Sequence, residues 1–182
     1  MSLVIGVRCK NGCSVIADLR NTIKEDGKII YEDNFEKVVK CDDYLLYNHG
    51  YNRIENVDWK QRWQDLTPDD SNPVYKDLLD EMKTKPDKSA YYVFISKNML
   101  YEVAIKVKDG VRITDFLPDD RIVSGNGSKY VDTKKLLENL SKRKCNKVFK
   151  NLKQTFNNAY ARMSYLSGRE FSKRYKVYQH ES

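Results

Sequence analysis

The order of strand and helix patterns along the chain is the feature that most restricts its fold. Residues 3–9 are rich in β-branched types, an Asn11-Gly12 pair follows, and a second apolar run covers residues 14–18. Two such runs about an Asn-Gly pair predict a β-hairpin. Alternating apolar runs bounded by turn residues predict further strands at 28–31, 37–41, 44–47, 91–96, 100–106, 111–116, 121–124 and 170–179.

Helical patterns occur in two separate pairs. Trp59 and Trp63 have helical spacing within residues 54–64, and a second helix starts at Asn72-Pro73 and ends before Pro86. The other pair is predicted over residues 129–142 and 146–166.

The resulting order is strands, two helices, strands, two helices and a final strand. Because strands and helices do not alternate as β-α-β units, a doubly wound parallel sheet is disfavoured. We expect an α+β fold, a four-layer αββα sandwich of two stacked antiparallel sheets with a helix pair on each outer face. Without repeats or a linker, residues 1–182 are expected to form a single domain.

Composition excludes several classes of protein. With 182 residues, of which 40% are hydrophobic, the chain can bury a core and is not a disordered tail. No apolar run approaches the 18 residues or so that a transmembrane helix needs, so no membrane association is expected. The N-terminus lacks the basic start and apolar stretch of a signal peptide, which favours a cytoplasmic protein.

The net charge of +7 is concentrated near the C-terminus. Residues 141–182 contain 11 Lys and Arg but only two Asp and Glu. This segment also has an apolar stripe at helical spacing, formed by Phe149, Leu152, Phe156, Tyr160 and Met163. Because the aromatics lie on the stripe that packs, rather than among exposed basic residues, nucleic-acid binding is not the favoured interpretation. A basic module that binds nucleic acid or acidic partners through residues 142–176 is kept as an alternative.

The cysteines do not predict a metal site. Cys9, Cys13, Cys41 and Cys145 include no Cys-x-x-Cys pair and no neighbouring histidine. We expect reduced thiols that pack in the interior. No cofactor or metal is expected.

The first forty residues resemble a known family. The resemblance covers residues 2–7, residues 10–20 and Lys37-Val38-Val39. This pattern is similar to the proteasome β-subunit branch of the N-terminal nucleophile (Ntn) hydrolases. In that family a mature N-terminal threonine starts the first strand, an Asp-x-Arg ends the second, and a lysine precedes an apolar pair. Ser2 falls at the threonine position, and Lys37 matches after a short insertion at residues 25–28.

The resemblance implies a catalytic centre without a cofactor. Ser2 would be the nucleophile and Asp18 and Lys37 its charge and proton partners. Gly125-Asn126-Gly127 and Ser167-Gly168 resemble two further family loops. The accessory positions implied by the family are Arg20, Asn126, Ser164 and Ser167, and its oxyanion amide falls in the region of Gly50 and Tyr51.

The chemistry of an N-terminal nucleophile fits these residue types. A hydroxyl must lose its proton as it attacks, and a free α-amine, with a pKa of about 7.7–8.0, can accept that proton near neutral pH. A lysine held by an aspartate supplies positive charge, and amides at a glycine turn can stabilise an oxyanion.

Each residue also has a purely structural interpretation. Asp18-x-Arg20 could be a local ion pair, Lys37 a solvated lysine and the glycine turn a tight connection. His49 is more easily explained as a locally paired histidine than as a catalyst.

The sequence also departs from the family. Ser2 replaces a threonine, Ser164 stands where the family has an acid, Arg169 replaces a loop glycine, and residues 48–51 are bulkier than the family's small-residue loop.

Three functions follow as hypotheses. The first is hydrolysis of a peptide or other amide by Ser2 after removal of Met1. The second is a catalytically inactive Ntn-fold scaffold or subunit of a homo-oligomeric ring. The third is the basic binding module.

Overall fold

The described part of the chain is built mainly from antiparallel strands, with two α-helices inserted among them. The computed structural model describes residues 2–51, 53–54, 57–58, 62–63, 65–136 and 140–181. Its strands are β1 (Val4–Cys9), β2 (Gly12–Asp18), β3 (Asn21–Glu25), β4 (Lys28–Glu32), β5 (Val38–Lys40), β6 (Leu45–Gly50), β7 (Arg53–Ile54), β8 (Val57–Asp58), β9 (Ser89–Ile95), β10 (Leu100–Lys106), β11 (Gly110–Asp115), β12 (Arg121–Ser124) and β13 (Tyr175–Glu181). The α-helices are α1 (Pro73–Met82) and α2 (Cys145–Tyr165).

Two larger sheets and two small hairpins contain these strands. The first sheet has the order β12-β1-β2-β13 and the second has the order β11-β10-β9-β6-β5, with antiparallel pairing throughout. The predicted hairpin is confirmed as β1–β2, although Gly12 already pairs with Cys9 and the turn is Lys10-Asn11. The remaining strands form the two-stranded sheets β3–β4 and β7–β8.

The two larger sheets face each other across a shared core. Side chains from β1 and β2, including Val4 and Val15, pack in one cluster with Leu45, Val93 and Ile95 of the second sheet. A second cluster joins the other face of β1 and β2 to α2, and a third joins the second sheet to α1. Each sheet is therefore buried on both faces, which explains the nearly continuous apolar sequences of β1 and β2.

Helix α1 has the predicted start and one apolar face that is buried. The Asn72 side chain accepts a hydrogen bond from the Val74 amide at 3.0 Å, and Pro73 occupies the first helical position. Val74, Leu78 and Met82 are buried, as their spacing predicts.

Helix α2 confirms the predicted amphipathic helix. Leu152, Phe156 and Met163 are buried, whereas Lys147 and Lys150 are exposed. No α-helix in the described part of the chain is long and apolar enough to cross a membrane.

The single helix predicted over 129–142 is wrong. Within 129–142 the described residues form short 3-10 segments at Asn126–Tyr130, Thr133–Lys135 and Leu140–Lys142. Here the burial of Tyr130, Leu136 and Leu140 against α2 and β1 outweighs local helical preference.

The helix predicted over 54–64 falls largely outside the described residues, at positions 55–56, 59–61 and 64, and its described positions include the end of β7 and all of β8. Among the described residues, each large sheet is thus covered by one α-helix, and the expected helix pairs are not found.

Candidate active site

Asp18 is the centre of a buried polar cluster at the end of β2. Its Oδ1 accepts hydrogen bonds from Lys37 Nζ at 2.7 Å and from the Leu3 amide at 2.8 Å. Its Oδ2 accepts from the amides of Arg20 at 2.9 Å and Ser172 at 3.4 Å. The carboxylate is completely buried, so these four donors replace the water that it loses on folding.

Lys37 lies just before β5 and is also buried. Its side chain is 7% exposed, and Nζ donates to the Asp18 carbonyl oxygen at 3.1 Å as well as to the carboxylate. Burial lowers the pKa of Lys37, because a low-dielectric interior disfavours the ammonium, although the charge of Asp18 partly opposes this shift. Lys37 therefore gives up its proton more readily than a solvated lysine does.

Ser2 precedes β1 and lies beside this pair. Its carbonyl oxygen accepts a hydrogen bond from the Gly127 amide at 2.9 Å. The next residue, Leu3, donates its amide to the same Asp18 oxygen that binds Lys37. The Leu3 amide, directly after Ser2, and Lys37 Nζ thus share one carboxylate oxygen of Asp18.

Gly125 lies next to the Ser2 hydroxyl. Its φ of +86° lies in the left-handed region that favours glycine. A Cβ at this position would lie only 2.7 Å from Ser2 Oγ. The predicted glycine turn is therefore needed both for the backbone conformation and for space around the Ser2 hydroxyl.

The Arg20 side chain does not pair with Asp18. Its guanidinium binds both carboxylate oxygens of Asp33, at 2.7 and 2.8 Å, and lies over the Tyr31 ring. Only the backbone amide of Arg20 reaches Asp18. Sequence reasoning identified Arg20 but missed Asp33, because their contact depends on the path of the β3–β4 hairpin.

The other predicted accessory residues lie at the surface. Asn126 is exposed at the start of its 3-10 segment, and Ser164 is exposed near the end of α2. Ser167 is exposed too, and its φ of +57° places it in the left-handed region. Asn126 thus follows β12, Ser164 lies in the last turn of α2, and Ser167 follows α2.

The end of β6 adjoins Lys37. The Asn48 amide donates to the Lys37 carbonyl oxygen at 3.2 Å, whereas the Tyr51 amide donates to Ser89 on the opposite side at 2.8 Å. Since successive amides of a strand alternate in direction, the Gly50 amide points to the same side as that of Asn48. Of the two predicted oxyanion positions, Tyr51 therefore has its amide occupied, and Gly50 faces the Lys37 side.

His49 is held by local contacts. Its ring stacks on Tyr91, with ring centroids 4.5 Å apart, and its Nε2 lies 3.4 Å from Glu102 Oε2. These contacts account for the half-buried imidazole at this position.

The segment after α2 contributes groups that sequence reasoning missed. Ser172 donates its amide to Asp18, and Phe171 packs on Gly127, where a Cβ would lie 2.7 Å from the ring. Glu170 Oε1 accepts hydrogen bonds from Tyr130 Oη at 2.7 Å and from Lys129 Nζ at 2.8 Å. Burial opposes ionisation, but these bonds leave the pKa of Glu170 below its usual value.

No signal in the sequence marks these distant pairings.

Within the described residues, no group of three or more His, Cys, Asp or Glu is arranged to hold a metal ion.

Comparison with known proteins gives a likeness of structure. No family model matches the chain, and no curated protein matches it by sequence. The Thiobacillus denitrificans protein BPH, in complex with epoxomicin, is similar with a TM-score of 0.62 at 14% identity, over 98% of each chain.

Anbu from Hyphomicrobium sp. strain MC1 is similar with a TM-score of 0.55 at 12% identity, over 98% of this chain and 82% of that one. The Gly-1 mutant of that Anbu protein is similar with a TM-score of 0.57 at 11% identity, over 100% of this chain and 82% of the mutant chain. The chain has the proteasome-β-like Ntn fold. At these identities the likeness establishes the Ntn fold alone.

Proposed function

We propose that this chain is a proteasome-β-like Ntn amidohydrolase that cleaves a peptide or other amide with Ser2 as nucleophile. The observation that carries the proposal is the position of Ser2 beside the buried Lys37–Asp18 pair, with the Leu3 amide and Lys37 Nζ on one carboxylate oxygen. In a four-layer αββα sandwich, the Lys37–Asp18 pair would lie at one end of the two stacked sheets.

The reaction begins with removal of Met1. In this sequence the Ser2 nitrogen is part of the Met1–Ser2 peptide bond, so it can act as a base only after that bond is cleaved. Ser2 Oγ then attacks the substrate carbonyl carbon while its proton passes to the freed α-amine. The amine leaving group departs with a proton, and an ester to Ser2 remains. Water hydrolyses the ester, releases the carboxylic acid and restores the hydroxyl.

Lys37 and Asp18 have separate roles in this mechanism. The positive charge of Lys37 next to Ser2 stabilises the alkoxide that develops during attack, and its lowered pKa allows it to relay a proton. Asp18 fixes Lys37 and, through the Leu3 amide, the backbone that carries Ser2. Asn126, Ser164 and Ser167 are assigned accessory positions near the amine, and Arg20 orients Asp18 through its amide.

The oxyanion donor is assigned to Gly50. Its amide points to the side of β6 on which Lys37 lies, whereas the Tyr51 amide already donates to Ser89. A single preorganised donor of this kind contributes about 3–4 kcal/mol to transition-state stabilisation in hydrolases.

Covalent labelling tests the nucleophile. Protein lacking Met1, verified by intact mass, is treated with an acylating β-lactone, and the modified peptide is mapped. We expect one acyl group on Ser2 and none in Ser2→Ala, whose thermal midpoint should match the wild type. The control Ser128→Ala removes a nearby hydroxyl and should still be labelled on Ser2. Equal labelling of Ser2→Ala, or amide hydrolysis by protein that retains Met1, would refute the mechanism.

One pair of observations favours a second candidate, an inactive Ntn-fold scaffold or subunit of a homo-oligomeric ring. The exposed Ser164 stands where the family has an acid, and Tyr51 offers no free amide. This candidate predicts that Ser2 is never acylated even when Met1 is removed. It also predicts that light scattering after size exclusion gives a mass that is a multiple of the chain mass.

A further inference from the structure

Two of the four cysteines meet between the first sheet and α2. Cys9 ends β1, Cys145 is the first residue of α2, and both are buried in the cluster that joins them. Cys13 follows Gly12, which pairs with Cys9, and therefore points to the opposite face of the sheet, into the core between the sheets. The alternation of the strands thus separates Cys13 from Cys9 and leaves Cys9 facing the helix.

Backbone contacts hold the two cysteines side by side. The Lys10 amide donates to the Arg143 carbonyl at 2.8 Å, and the Cys145 amide donates to Asn11 Oδ1 at 2.9 Å. These bonds fix the β1–β2 turn against the start of α2. Cys9 and Cys145 lie in the same buried cluster and influence each other electrostatically, and Cys9 Sγ lies 3.8 Å from Ser14 Oγ.

The surroundings of Cys145 favour a thiolate. Its position at the positive end of α2 stabilises negative charge. Acidic residues are absent from the first turn of this described helix, whereas Lys142, Arg143, Lys144 and Lys147 lie within three residues of its start in the sequence. The interaction with the Cys9 thiol lowers the pKa of Cys145, and the same interaction raises the pKa of Cys9.

We propose that Cys9 and Cys145 form an oxidation site at which a small hydroperoxide converts two buried thiols into a disulfide between β1 and α2. The Cys145 thiolate attacks one peroxide oxygen, the O–O bond breaks, and hydroxide or alkoxide leaves and takes a proton from solvent. The Cys9 sulfur then attacks the resulting sulfenic acid, the S–S bond forms, and water leaves with the Cys9 proton. The peroxide gains the two electrons that the thiols lose.

Burial determines which reagents reach the pair. Cys9 and Cys145 are 1% and 0% exposed, so a bulky alkylating reagent has no access in the folded protein. Cys41 is partly exposed and is the thiol that such a reagent should modify first. A molecule as small as hydrogen peroxide needs only local opening at the start of α2.

The disulfide would close a loop that contains most of the chain. A cross-link between residues 9 and 145 constrains the unfolded state strongly, so oxidation should raise the thermal midpoint by about 5–10 °C. Dithiothreitol should reverse the change. The site lies at the end of β1 opposite Ser2, so the inference does not depend on the proposed hydrolase activity.

Mass mapping of the full-length reduced protein tests the proposal. The protein is treated with hydrogen peroxide, quenched, unfolded and alkylated with N-ethylmaleimide, and then digested without reductant. We expect two cysteines that remain unalkylated because they form a disulfide. Before alkylation, the mass should be lower than that of the reduced protein by two hydrogens, and the digest should contain a peptide pair that joins Cys9 to Cys145.

Variants provide the matched controls. Cys145→Ser and Cys9→Ser should not form the link, whereas Cys41→Ser should form it as readily as the wild type. Should either variant fail to fold, the wild-type peptide map still decides the question. Four alkylatable thiols after peroxide treatment, or a link that involves Cys13 or Cys41, would overturn the proposal.

Discussion

Two consecutive hairpins meet at the candidate site and differ in almost every physical respect. Residues of β1 and β2 are buried nearly throughout, and β12 and β13 pair with their outer edges. Strands β3 and β4 pair only with each other, and every residue of β4 is exposed, including Ile29, Ile30 and Tyr31 at 51%, 44% and 38%. Asp18 ends the buried hairpin, and the exposed hairpin starts at Asn21.

The difference in burial gives the β1–β2 and β3–β4 hairpins different roles. The buried hairpin can hold charged groups in a fixed geometry, because neighbours on both faces and both edges limit its motion. The exposed hairpin has apolar side chains that lack this packing, so substitutions there should be tolerated. The four predictions that follow test this contrast, from the largest expected effect to the smallest.

Asp18→Ala should have the largest effect on stability. The substitution leaves Lys37 Nζ buried without its carboxylate partner and removes the acceptor of the Leu3 and Arg20 amides. We expect a loss of about 3–5 kcal/mol in the free energy of unfolding, measured by urea denaturation. A loss below about 1 kcal/mol would show that the buried hairpin does not depend on this carboxylate.

Gly125→Ala should also destabilise the protein, through strain at Ser2. The new Cβ would require φ near +86° and would approach Ser2 Oγ to 2.7 Å, so we expect a cost of about 2–4 kcal/mol. Gly110→Ala is the matched control, because Gly110 has φ +73° but open space around its Cβ position. Its expected cost is about 1–2 kcal/mol, from backbone strain alone. Equal costs for the two variants would contradict the close approach at Ser2.

Lys37 should make stability depend on alkaline pH. Burial holds the pKa of Lys37 in the folded protein below the ordinary value of 10.5, which applies to the unfolded chain. At a pH between the folded-state and unfolded-state pKa values, the unfolded chain therefore binds a proton that the folded chain has released. The free energy of unfolding should therefore rise with pH in this window, by at most about 1.4 kcal/mol per pH unit. Urea denaturation of wild type and Lys37→Met should show this rise only in the wild type. A parallel pH profile for the two proteins would count against a lowered pKa.

Ile30→Thr should have the smallest effect. Ile30 is exposed on β4, where threonine has a similar strand preference, so the change in unfolding free energy should stay within about 0.5 kcal/mol. The buried counterpart Ile16→Thr in β2 should cost about 2–4 kcal/mol, because it leaves a cavity and buries a hydroxyl. A cost for Ile30→Thr close to that of Ile16→Thr would mean that another surface covers β4.

Local signals explain which elements could be predicted from sequence. The β1–β2 hairpin, α1 and α2 each combine clear periodicity with turn or capping residues, and all three are found. Strand β3 was missed, because Asn21–Glu25 is mostly polar and its pairing with β4 depends on the Asp26-Gly27 turn, where both φ values are positive. The segment 129–142 was misread as one helix, since burial among distant residues sets its conformation.

The candidate site likewise contains residues that could be predicted from the sequence and contacts that could not. Ser2, Asp18 and Lys37 were named from a family pattern that lies within the first forty residues. The Ser172 amide on Asp18, the Asp33 partner of Arg20 and the Cys9–Cys145 contact join residues that are distant in sequence or depend on chain path. Such pairings leave no local trace, because neither partner changes the periodicity or the turn residues of the segment around it.

The Ser172 contact has a consequence for the timing of synthesis. Asp18 and Ser172 are separated by 154 positions, yet they share a hydrogen bond, and β13 pairs with β2 along its length. At about 5–20 residues per second, a ribosome needs roughly 8–30 s to add the intervening residues. For most of that interval the nascent chain has the Ser2, Asp18 and Lys37 side chains but lacks β13, which pairs with β2 beside them. The candidate active site of a newly made chain is thus complete only after Ser172 and β13 have been synthesised.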